Sequence, residues 1–183
     1  MRIATALILA ATACPVVVSA QTATTTPTEA FVHAVEMVCA PNALGKLPLN
    51  PPSAALDAAH VLLVDGGSDP DTRGAFHDMP VTIDYGAITS TGQIVIGADE
   101  AGTCRVAAIN ASATDVASIQ TAIRGMSGDW NPISNDAAAG QTTYSGTVGG
   151  EPNLMIEATV PPAGSHWGKA GILITVMNPA AGG

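Results

Sequence analysis

The chain reads as an α+β protein, an antiparallel β-sheet of about five to six strands with two or three helices packed on one face. Two segments, around residues 26–39 and 112–125, pair a helix-start signal with apolar residues at helical spacing. Several others alternate apolar and polar residues, as half-buried strands do. Links between neighbouring strand segments are short. That imposes antiparallel pairing, because a parallel return needs a crossover of a dozen or more residues. No linker is long enough to divide residues 21–183, which form one domain with short flexible ends.

The elements follow in chain order. Thr26-Pro27-Thr28-Glu29 starts a helix: Thr26 caps, Pro27 occupies the first helical position, and Glu29 completes a capping box. Phe31, Val35, Val38 and Cys39 form its buried stripe, and Pro41 is expected to end it. Residues 41–53 are an irregular connection. Ser53 caps a short alanine-rich helix from Ala54 towards Leu63, the alternative being a strand over His60–Val64. Asp65 to Asp71 is a loop. Strands are expected over Val81–Tyr85, Gln93–Ile96 and Thr103–Ile109, with a hairpin turn at Asp99–Gly102. Ser112 or Thr114 caps a second helix with Val116, Ile119 and Ile123 on its apolar side, Arg124 at its C-terminal dipole and Gly125 as its stop. Gln141–Val148, Leu154–Val160 and Gly171–Val176 complete the strand set.

The first twenty residues have the pattern of a cleaved export signal. Arg2 precedes an uncharged, mostly apolar run, and Val18-Ser19-Ala20 offers a cleavage site before Gln21. Pro15 and the polar Thr-rich segment after Ala20 argue against an uncleaved anchor. Ala11-Thr12-Ala13-Cys14 is similar to a lipoprotein box, with Ala where Leu is preferred, so a membrane link is expected only if Cys14 is lipidated. The expected location is the periplasm or the medium. There Cys39 and Cys104 are the natural disulfide pair, worth about 4 kcal/mol through the long loop they close.

Fifteen acidic against six basic residues give a formal net charge of −9. Nucleic-acid phosphates repel such a chain, and no basic cluster offsets that, so no nucleic-acid partner is expected. A basic protein or a small ligand is the expected partner, and no cofactor is expected.

Candidate sites are sparse. Asp65, Asp69 and Asp71 share a Gly-rich loop of the composition that supplies oxygen ligands to metal ions, but without the spacing of a calcium-binding loop. His33, His60, His77 and His166 are scattered and match no local zinc pattern. Trp130 and Trp167 are candidate recognition anchors, since tryptophan supplies large contact area at small entropic cost. The G-x-S-x-G arrangement of a serine hydrolase is absent. In Gly164-Ser165-His166-Trp167-Gly168 the serine is one position off. The leading expectation is an exported, non-catalytic binding module. The alternatives are a small secreted hydrolase using His77, Asp78, Ser165 and His166, and a structural or accessory protein of the envelope.

Overall fold

A computed structural model describes residues 26–79, 84–88, 94–126, 131–136, 141–148, 151–162 and 164–180. The expected export signal, Cys14, Trp130 and the expected strand residues Val81–Ile83 and Gln93 lie outside the described residues.

The chain enters through α1 (Pro27–His33), where Thr26 and Glu29 form the expected capping box. A π-helical stretch (Ala34–Cys39) carries the same path into α2 (Ala40–Ala43). Pro41 therefore does not end the helix. It falls at the start of α2, immediately after the π-helical stretch has shifted the hydrogen-bond register, and there its missing N–H is tolerated. The stop comes at Gly45, whose φ of +69° is left-handed. Gly45 N–H donates to Asn42 O and Lys46 N–H to Pro41 O, both at 2.8 Å, which closes a Schellman motif.

Both readings of residues 54–64 are partly right. Ser53 caps α3 (Ala54–Ala58), His60 turns the chain with a positive φ, and β1 (Val61–Leu63) follows. α4 (Pro70–Ala75) starts at the Asp69 cap. Then come β2 (Asp84–Ile88), β3 (Ile94–Ala98) and β4 (Thr103–Ile109). The turn between β3 and β4 is held by Asp99, whose carboxylate accepts from Thr103 N–H at 2.9 Å.

α5 (Ala113–Gly125) is capped by Ser112 and Asp115 in a reciprocal box. Gly125 is its last helical residue, and Met126 rather than a left-handed glycine makes the exit. Ser112→Ala removes one partner of that box and is expected to cost about 1 kcal/mol, read as a lower urea midpoint with unchanged slope.

β5 (Asn131–Asp136), β6 (Gln141–Val148), β7 (Glu151–Thr159) and β8 (Ala170–Met177) complete the chain. The expected fold class holds: this is an α+β protein built on one antiparallel sheet. Each of the six expected strand segments contributes a strand. The three-residue β1 and the six-residue β5 extend the two edges, giving the order β1-β2-β3-β4-β8-β7-β6-β5. β4 and β8 meet at the centre, with Cys104 opposite Val176 and Arg105 opposite Thr175.

Strand alternation sorts the side chains onto two faces. Ile94, Ile96, Cys104, Val106, Ile172, Ile174 and Val176 point to the main core, where they meet Phe31, Val35, Val38, Ile119 and Ile123 of the principal helices. Cys39 and Cys104 are bonded there with Cα atoms 5.1 Å apart, tying the first helix to the central strand. Val95, Ala107, Ile109 and Leu173 point the other way and are covered by Ala75, Phe76 and Met79, in and just after α4. The principal helices thus share one face as expected, and a single short helix is added on the other. Among the described residues no helix is long and apolar enough to cross a membrane.

Candidate functional site

The face under α4 brings together residues that are far apart in the chain. α4 is fixed at its start by Asp69, which accepts from Thr72 N–H at 2.8 Å. These bonds hold the Asp69 carboxyl below the usual range. At the other end the chain leaves through a tight turn, with Met79 N–H donating to Phe76 O at 3.0 Å. That turn presents His77 and Asp78.

The second contributor is the loop before β8. Gly164 and Gly168 have positive φ, and Ser165 N–H donates to Pro162 O at 3.1 Å. The loop lies directly against α4: a Cβ on Gly74 would meet the Gly168 backbone at 3.3 Å. Lys169 pairs with Asp71 across the same seam at 3.1 Å. Gly74→Val, which sets a branched side chain against the Gly168 backbone, is expected to open this seam. The expected cost is about 1–3 kcal/mol, with a red-shifted emission from Trp167.

Arg105 of β4 lies beneath both segments. Its side chain is only 7% exposed, while that of its partner Asp78 is 44% exposed. Nε donates to Thr175 Oγ1 at 2.9 Å, and Nη1 to Ala75 O at 3.4 Å. Nη1 and Nη2 both donate to Asp78, the latter at 3.3 Å. The guanidinium also stands 5.2 Å from the Trp167 ring centre, within cation–π range. Burial works to raise the Asp78 carboxyl, but the hydrogen bond and charge of Arg105 outweigh it and hold the group below the usual range.

Above this ion pair three rings meet. His77 and His166 have ring centres 4.1 Å apart, and Trp167 lies 4.8 Å from His77 and 4.7 Å from His166. Both histidines are exposed and Trp167 is half-buried. Burial, then the neighbouring His166 and Arg105, push the His77 imidazole below its ordinary range, with Asp78 working the other way. A concavity of about 330 Å³ lies beside β2, lined by Asn50, Leu63, Val64, Asp65, Gly67, Asp84 and Tyr85. Tyr85 connects it to the α4 face, its ring centre 5.9 Å from Phe76.

Of the residues singled out from sequence, His77, Asp78, His166 and Trp167 converge here. Ser165 lies in the same loop, but among the described residues no hydrogen bond joins it to either imidazole. The three loop carboxylates have separate places: Asp69 caps α4, Asp71 pairs with Lys169, and Asp65 lines the concavity. Among the described residues no group of three or more His, Cys, Asp or Glu side chains is placed to hold a metal ion. His33 sits elsewhere, its Nε2 2.9 Å from Ala59 O. Arg105 was not singled out from sequence. Its signal was that it is the one charged residue in Thr103–Ile109, on the strand face opposite Cys104.

Compared with known proteins, the chain matches no family model, no curated sequence and no solved structure.

Proposed function

We propose that this chain is an exported, non-catalytic binding module of the cell envelope or medium, and that it meets its ligand through the His77–His166–Trp167 surface. What carries this reading is the gathering of scarce ring side chains on one face. The chain has two Phe, two Tyr and two Trp, and Phe76, Tyr85 and Trp167 all stand on the side away from the principal helices. Two of the four histidines join them. Half-buried Trp167 and Tyr85, with Trp167 against an arginine held by four hydrogen bonds, form a preformed contact surface, which lowers the ordering cost of binding.

The arrangement favours binding over hydrolysis. A relay of Ser, His and Asp needs the carboxylate to orient the imidazole and the imidazole to reach the hydroxyl. Here Asp78 is engaged by Arg105, and its Oδ1 stands 3.9 Å from His77 Nδ1. Export is supported by the pattern of residues 1–20 and by the Cys39–Cys104 bridge, which suits an oxidising compartment. The net charge of −9 favours a basic partner, whose affinity is expected to fall as salt rises.

Hydrogen exchange tests the surface. The small-molecule and protein fractions of the host's own envelope and medium are added in turn to the protein. Slower exchange is expected at residues 74–79 and 164–169, with α5 unchanged. Protection confined to other segments, or none with any fraction, would contradict the assignment.

A further inference from the structure

We propose that His77 and His166 form a two-histidine site for a borderline divalent transition ion, Zn²⁺ or Cu²⁺, whose remaining coordination positions are left to water or to donors of a bound ligand. The proposal deepens the binding reading and rests on the same surface. Imidazole nitrogen is a preferred donor for both ions. The ring separation fits such a site. With the ion about 2.0–2.1 Å from each nitrogen, two imidazoles sharing it have ring centres roughly 4.5 Å apart at the right angle of tetragonal Cu²⁺ and roughly 5.2 Å apart at the tetrahedral angle of Zn²⁺. The observed separation is 4.1 Å. Rotation of the two exposed side chains has to open the pair by about 0.4 Å for Cu²⁺ and by about 1 Å for Zn²⁺.

The nitrogens are also available. Among the described residues neither imidazole makes a hydrogen bond, and the nearest carboxylate oxygen to His77 Nδ1 is 3.9 Å away. The Arg105 charge below is matched by Asp78, so it does not repel an approaching cation as a lone arginine would. The acidic chain attracts cations as a whole. No third ligating side chain joins the pair among the described residues, so the protein contributes two donors and leaves the rest of the coordination sphere open. An open sphere lets an ion bridge the protein to a ligand carrying its own donors.

Trp167 is a built-in reporter, because its ring lies within 5 Å of both imidazole centres, at 4.8 and 4.7 Å. The experiment titrates the full chain with Zn²⁺ by calorimetry and with Cu²⁺ by tryptophan emission. Wild-type, His77→Ala, His166→Ala and the double variant are compared, and circular dichroism establishes that each is folded. His166→Gln gives a second single variant that keeps a polar side chain in the loop. One ion per chain is expected for the wild type, with binding at least about tenfold weaker in each single variant and lost in the double variant. Equal binding by wild type and double variant, or no binding by the wild type, would overturn the metal site. Hydrogen exchange with the host fractions separates this from the parent reading. If Zn²⁺ fails while residues 74–79 and 164–169 are still protected, the surface stands and only the ion falls. If both fail, both fall.

Discussion

Replacing Cys39 and Cys104 together by alanine is expected to lower the unfolding free energy by about 4 kcal/mol, within the range of about 2–5 found when native disulfides are lost. The bridge spans a sequence separation of 65 residues, so its removal frees much of the unfolded chain. It also joins the π-helical stretch after α1 to β4, where both sulfurs are fully buried. Since ΔG of an ordinary domain is about 5–15 kcal/mol, this single change takes a large share of it. Guanidinium denaturation of wild type and variant, with and without reductant, measures the effect. Reductant should act on the wild type alone. A variant within about 1 kcal/mol of the oxidised wild type would show that the bridge contributes little.

The second large effect concerns Arg105 and Asp78, and its sign of asymmetry can be derived. Asp78→Ala leaves a buried guanidinium without its counter-charge, and breaking such a pair costs about 3 kcal/mol or more. Arg105→Met leaves Asp78, which is nearly half exposed and can turn to water. That variant fills the space with an apolar side chain and is expected to cost about 1–2 kcal/mol. Urea midpoints of the two variants give the order directly. If Arg105→Met proved the more damaging, the burial argument would be inverted.

The same pair fixes the direction of acid sensitivity. Asp78 is held below its ordinary range in the folded protein, so its contribution is present above about pH 4 and lost as pH falls through the folded value. His77 acts in the same direction at higher pH. Its imidazole is depressed in the folded state, so the unfolded chain takes up the proton first, and stability declines as pH falls below about 6.5. His77→Gln should flatten the upper part of the stability profile, and Asp78→Ala the lower part.

Local signals in the sequence carried well into the structure. The boxes at Thr26 and Ser112 and the turn at Asp99 are short-range hydrogen-bond arrangements, which their own residues determine. The disulfide followed from having two cysteines in the segment after the expected export signal. Strand order was not legible, because the pairing of β4 with β8 joins segments more than sixty residues apart and depends on which faces match. The Pro41 stop failed because a π-helical register absorbed the proline. The site was half legible. His77, Asp78, Ser165 and His166 were grouped as candidate hydrolase residues, yet nothing local shows that α4 and the β7–β8 loop share a face, or that Asp78 is engaged by Arg105. Asp65, Asp69 and Asp71 looked like one ligand set because they are close in sequence. In the fold a helix cap and an ion pair use two of them.

The most direct test is a native intact mass of the wild type and of Trp167→Ala, each recovered from the host's own envelope or medium. An exported binding module is expected as a chain starting at Gln21 less two hydrogens. The wild type should retain an added species that Trp167→Ala loses. An unprocessed chain, or bare masses for both proteins, would contradict it.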